Sequence, residues 1–190
     1  MVAVTTLERA RPFTVADLAD MPDDGRRYEI LDGVLLVSPA TSYPHQDVVL
    51  RLGAWLLARV PDEMAVLVAP FDVVLTDDTV LQPDVLVADR AALEAGSRPL
   101  VPALVVEVRS PSTASIDRLL KRERYARAGV PAYWLVHPDV PAVTVLELGE
   151  HGDYGVVVDD ARTGPVVLDR PFPLELDPAL LRGTTAEGRR

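Results

Sequence analysis

The chain has 190 residues, 48% hydrophobic and 25% charged, the composition of a folded globular protein and not of a disordered one. A formal net charge of −10 excludes a protein that coats nucleic acid by charge alone, and the absence of cysteine excludes disulfides and thiolate metal centres. No apolar run approaches the roughly 20 residues of a membrane span, and Met1–Pro12 carries Glu8, Arg9 and Arg11 where a secretory signal needs an apolar core, so a cytoplasmic protein is expected.

Residues 1–12 read as a flexible leader, 13–182 as a single domain and 183–190 as a polar tail. Thr14 is placed to cap a short helix through Val15, Leu18 and Met21, ended by Pro22-Asp23-Asp24-Gly25. Tyr28–Leu31, Asp32-Gly33 and Val34–Val37 read as a β-hairpin, because Asp-Gly favours a tight type I′ turn. Ser42–Pro44 opens a helix whose apolar face holds Val48, Val49, Leu52, Trp55 and Leu56, and Pro61 ends it. Met64–Val68, Phe71–Leu75 and Val80–Val87 are expected strands, the last carrying Asp84. Ala91–Gly96 is a short helical turn, and Leu104–Val108 a strand broken by Glu107 alone. Ser115–Ala128 is the second main helix, stopped by Gly129. Tyr133–Val136, Val143–Leu148, Gly155–Val158 and Val166–Leu168 complete a mixed α/β domain, a central sheet flanked by helices.

Asp84 and Glu107 each interrupt a strongly apolar stretch, where an isolated carboxylate is costly unless it is paired or coordinated. One reading turns each acid to solvent on alternate strand positions. The other converges both on a hard divalent cation, with Lys121 close behind, as a magnesium-dependent phosphodiesterase requires. Glu107 and Arg109 share a strand face, so carboxylate and guanidinium either address one phosphate or form a surface ion pair. Asp117, Lys121 and Arg124 form one polar helix stripe, either functional or simply solvated. Between Arg109 and Arg127 six basic residues face two acids, a basic patch inside an acidic chain. His45 is read as a helix cap or a substrate contact, His137 and His151 as surface residues, and Trp55 and Trp134 as packing.

The order Tyr28-Glu29-Ile30-Leu31-Asp32-Gly33, His45-Gln46, Gln82-Pro83-Asp84, Val106–Thr113, Asp117, Lys121, Tyr125, Ala128-Gly129-Val130 and Tyr133–Val136 resembles the Uma-two-type putative restriction endonuclease family, of the PD-(D/E)XK nuclease superfamily. The resemblance spans roughly residues 13–180 and implies a restriction-endonuclease-like α/β core. By that resemblance Asp84 and Glu107 are Mg²⁺ ligands, Lys121 is the catalytic lysine carried on the following helix, and Glu29 is a further metal or water ligand. Arg109 stands where the family has an aliphatic residue and the wider superfamily its lysine. Ala132 and His137 replace two family acids outside the predicted ligand set.

The expected activity is metal-dependent endonucleolytic hydrolysis of nucleic acid, DNA foremost, with catalytic Glu29, Asp84, Glu107 and Lys121. Arg109, His45, Asp117 and Arg124 are auxiliary, and Mg²⁺ is replaceable by Mn²⁺. The resemblance also implies a homodimer. A catalytically inactive nuclease-fold dimer serving as a binding or scaffolding module is the alternative. A glycosidase using Asp84 and Glu107 is disfavoured by the neighbouring cations.

Overall fold

Two β-sheets meet at Gln82-Pro83-Asp84, and this junction organises the molecule. The structure is a computed structural model and describes residues 5–7, 10–109, 116–140 and 142–181, the backbone alone for 116–118. The first sheet contains β1 (Thr5–Leu7), β2 (Arg27–Leu31), β3 (Val34–Ser38), β5 (Val73–Thr76) and β6 (Thr79–Leu81), antiparallel in the order β1-β3-β2-β6-β5. The second contains β4 (Met64–Val68), β7 (Val85–Asp89), β8 (Leu104–Val108), β9 (Ala132–His137), β10 (Ala142–Leu148) and β11 (Tyr154–Ala161), in the order β11-β10-β9-β8-β7-β4. Only β8 and β9 of that sheet pair in parallel. A separate hairpin joins β12 (Val166–Leu168) to β13 (Leu174–Leu176). The helices are α1 (Val15–Leu18), α2 (Tyr43–Leu57), α3 (Arg90–Glu94) and α4 (Arg122–Arg127). A π-helical turn at Ile116–Lys121 precedes α4, and a 3₁₀ turn covers Pro178–Leu181.

The second sheet is covered on both faces, which is why its strands read as continuous apolar runs. Val85, Val87, Leu104, Val106, Val108, Trp134 and Val136 pack with Val48, Leu52 and Leu56 of α2. Leu86, Ala88, Val105, Tyr133 and Leu135 pack on the other face with Tyr125 of α4 and with Leu31 and Leu36 of the first sheet. Trp134 is fully buried, whereas Trp55 is half-buried and lies under the Arg59 guanidinium at 4.6 Å. The hairpin turn is as expected: Asp32 and Gly33 both take left-handed backbone angles, φ 52° and 76°, as a type I′ turn requires.

Four expectations change. The strand expected over 80–87 is two strands, because Pro83 has no amide proton and the chain leaves one sheet there and enters the other. The helix expected over 115–128 is π-helical up to Lys121 and α-helical only afterwards, ending at Gly129 with φ 82°. Thr5–Leu7, inside the expected leader, pairs with β3. β13 and the 3₁₀ turn are additions to the expected elements, since three- and four-residue segments carry too few positions to show a period. No helix among the described residues is long and apolar enough to cross a membrane. The expected polar tail lies outside the described residues, as do Ser110–Thr113 of the sequence motif.

Candidate active site

Strand alternation delivers the acids. On β8, Val106 and Val108 face α2, so Glu107 turns to the opposite layer beside Val105, under α4. On β2, Tyr28 and Ile30 pack with Phe13 and Leu35, which puts Arg27, Glu29 and Leu31 on the inner face. Asp84 stands at the junction between the sheets, immediately before β7. Lys121 and Tyr125, four apart, face inward together.

These residues form one buried polar cluster. Glu29, Asp84, Glu107 and Lys121 are 2%, 2%, 1% and 1% exposed. The turn to solvent that alternation permitted for the two strand acids does not occur. Lys121 Nζ donates to Glu29 Oε1 at 2.8 Å and to Glu107 Oε1 at 3.2 Å. Glu29 Oε1 also accepts the Gln82 amide at 2.8 Å. Asp84 Oδ1 accepts from Arg27 Nη1 at 2.9 Å, and Asp84 Oδ2 accepts from the Val108 amide at 2.7 Å and lies 3.1 Å from His45 Nε2. Arg27 Nε stands 3.7 Å from Glu29 Oε2. The Tyr125 hydroxyl donates to Glu107 Oε1 at 3.2 Å, and its ring continues through Tyr133 to Tyr154 with centroids 5.4 and 5.8 Å apart. An open cleft of about 520 Å³ reaches this cluster and is lined in part by Arg26, Arg27, His45, Gln46, Gln82 and Asp84.

Burial by itself would raise the carboxyl of Glu29, but the Lys121 ammonium and Arg27 guanidinium outweigh it and hold the group below its ordinary value. Burial likewise opposes ionisation of Asp84, and the His45 hydrogen bond, the Arg27 charge and the Val108 amide overcome it. Arg27 would be lowered by burial and is instead raised by Glu29, Asp84 and Glu107. Tyr125 is pushed well above its usual range, by burial first and then by Glu107 and Glu29, so it remains a phenol and a donor.

Among the described residues, the three carboxylates meet the Arg27 guanidinium and the Lys121 ammonium. The donors are hard oxygens, the chemistry that suits Mg²⁺ or Mn²⁺. The buried Nδ1 of His45 has no hydrogen-bond partner among the described residues. The donor set therefore fits a divalent cation at Asp84 and Glu107 in its chemistry. No three acidic or imidazole side chains among the described residues are already arranged as a metal cage.

Glu29, His45, Asp84, Glu107 and Lys121 come together; Arg109 and Arg124 do not join them. β8 ends at Val108, and the Arg109 amide turns to the Val136 carbonyl at 2.7 Å. Among the described residues its guanidinium makes no ion pair with the cluster, and its buried Nε has no partner. The polar stripe divides because burial of the Tyr125 ring turns Lys121 inward, leaving Arg124 at the rim paired with Asp32 and Glu123. The side chain of Asp117 lies outside the described residues. The basic run is not one open face: Lys121 is buried, Arg127 pairs with Glu123 at 2.5 Å, and Arg122 donates to the Tyr154 carbonyl at 2.6 Å. Arg27 joins the cluster although no motif in the sequence singles it out. The one available signal is its position two residues before Glu29, on the same strand face.

A match to the Uma2 family, described as putative restriction endonuclease, covers residues 15–181. A search of curated proteins finds no match. Among solved structures, a crystal structure titled as a putative nuclease from Anabaena variabilis is similar, with 17% identity and a TM-score of 0.66. The alignment covers 90% of this chain and 97% of that one. The shared fold is a restriction-endonuclease-like α/β core.

Proposed function

The chain belongs to the Uma2 family of putative restriction endonucleases, and from that premise we propose that it is a divalent-metal-dependent nuclease hydrolysing phosphodiester bonds, of DNA foremost. One observation carries the reading: Glu29, Asp84 and Glu107, all at most 2% exposed, converge from two sheets on one buried polar cluster that a cleft reaches at Asp84. Packing alone gives no reason for this, since burying ions costs several kcal/mol each and apolar residues fill such space at lower cost. Asp84 and Glu107 would hold the ion, Mg²⁺ or Mn²⁺. When bound, it would polarise the phosphate and acidify a water.

The chain's own groups do the rest. His45 and the Val108 amide fix Asp84 in one orientation. Glu29 holds Lys121 at 2.8 Å, and its bond from the Gln82 amide ties the lysine to the sheet junction. Lys121 thereby stands ready to orient the attacking water or to stabilise charge developing on the phosphate oxygens. Tyr125 keeps Glu107 facing the cluster. On the same reading the chain pairs into a homodimer, two sites addressing two strands.

One observation favours the inactive alternative: both Asp84 oxygens already accept hydrogen bonds, and no three-ligand cage stands ready among the described residues. Cleavage of plasmid and oligonucleotide DNA with Mg²⁺ or Mn²⁺, set beside Mn²⁺ calorimetry, distinguishes the two. The wild type should cleave and EDTA should abolish it, while Asp84→Ala and Glu107→Ala should each lose about a hundredfold or more. Equal cleavage by all three proteins would mark a contaminant and remove the assignment. A wild type that binds no Mn²⁺ and cuts nothing would remove the nuclease reading and leave the inactive alternative.

A further inference from the structure

Among the described residues two permanent cations serve the cluster, and they differ in access. Lys121 is 1% exposed and does not line the cleft, whereas the Arg27 side chain retains 14% exposure and does. Arg27 uses one nitrogen twice: Nη1 donates to Asp84 Oδ1 at 2.9 Å and to the Gln82 carbonyl at 3.2 Å. Its Nε lies beyond hydrogen-bond distance of Glu29, at 3.7 Å, and its Nη2 makes no hydrogen bond to any described residue. A guanidinium fixed on one edge and free on the other is preorganised for a phosphate, because the fixed edge has already lost its rotamer freedom. Two buried atoms of residues that line the same cleft lack partners among the described residues, His45 Nδ1 and Gln82 Oε1, and add polar capacity to its wall.

The geometry points to Arg27 as the residue that receives the substrate phosphate, a backbone phosphodiester of a nucleic-acid strand entering the cleft, with Asp84 as the anchor that aims it. This rests on the nuclease reading for the identity of the anion, and it moves the substrate-facing positive charge from the basic 109–127 run to the strand that carries Glu29. The one cation of the cluster that lines the cleft, among the described residues, therefore also orients a carboxylate, so phosphate binding and the setting of Asp84 are coupled through one side chain.

The test is fluorescence anisotropy of a labelled oligonucleotide, single-stranded and duplex, in EDTA across a salt series. Wild type, Arg27→Met and Arg27→Lys are compared, with melting temperatures taken alongside. Arg27→Met should weaken binding about tenfold and lower the slope of log affinity against log salt by about one, the signature of one lost phosphate contact. Arg27→Lys retains a charge inside the acid cluster and so guards against a variant that merely unfolds. It should keep the slope but bind several-fold more weakly, since an ammonium cannot present a planar fork. Folded variants with wild-type affinity and slope would reduce Arg27 to an internal counter-ion and overturn the assignment. The assignment also falls if the wild type binds no oligonucleotide, even where inorganic phosphate protects Arg27 from a guanidine-modifying reagent. Binding that depends on Arg27 in a protein that never cleaves would uphold the phosphate site and sink the nuclease reading instead.

Discussion

Lys121 is the residue on which the cluster's electrostatics turn. It lies between Glu29 and Glu107 with almost no solvent, so removing its charge leaves two buried carboxylates facing each other. Lys121→Met should cost about 3–5 kcal/mol at neutral pH, read by urea denaturation. The penalty should shrink as pH falls, because the carboxylates can then take up protons and shed their repulsion; a penalty independent of pH would mean that the lysine acts by packing. The wild type itself should weaken in acid. Asp84 and Glu29 both titrate below their ordinary values in the folded state, so the unfolded chain binds protons first as pH drops. Their contribution is whole above about pH 4.5 and is lost as pH falls through the depressed values. Asp84→Asn should flatten the fall of melting temperature below that point. The acids are legible in the sequence because each breaks an apolar run, and Glu29 through the family resemblance. Arg27 is not, because its partner Asp84 lies 57 residues away and their contact exists only through space.

At the scale of elements, the β2–β3 hairpin is the part that holds Arg27 and Glu29 in register. Its Asp32-Gly33 turn does three things: it reverses the chain, receives Arg124 on Asp32, and ties Gly33 to Phe13 and Asp78 through backbone bonds of 2.8 Å. Gly33 combines φ 76° with a tight approach, since an added Cβ would meet the Pro12 Cβ at 2.5 Å. Gly33→Ala should therefore destabilise by about 1–3 kcal/mol in urea denaturation, while Gly25→Ala, with φ 75° but open space, should cost less. Equal losses at the two sites would assign the whole effect to backbone angle. The hairpin is readable because Asp-Gly between apolar runs carries its own turn chemistry. The break at Pro83 is less so: proline signals that a ladder stops, but not that the chain will enter another sheet.

Across the whole molecule, charge and position diverge. The net charge of −10 repels a nucleic-acid backbone at long range. The basic run on α4 does little to offset it, because Lys121 is buried and Arg124 and Arg127 are tied to acids. On the proposed reading, binding rests on short-range contacts inside the cleft, where screening matters less than at an open surface. The paired arrangement proposed above makes its own prediction: sedimentation velocity at micromolar concentration should give twice the chain mass, and a single monomeric species would remove the dimer.

The sequence by itself determined the α/β class, the hairpin and the paired acids, because each is written in local terms: period, turn residues, and charges where apolar residues belong. Tertiary structure alone decided which charges meet. It buried Lys121, left Arg124 at the rim on Asp32 and Glu123, set Arg109 apart from the cluster and brought Arg27 into it. The physical reason is that an ion pair forms between whatever side chains packing brings within a few ångströms, and here the Tyr125 ring and the sheet junction at Pro83 do the bringing.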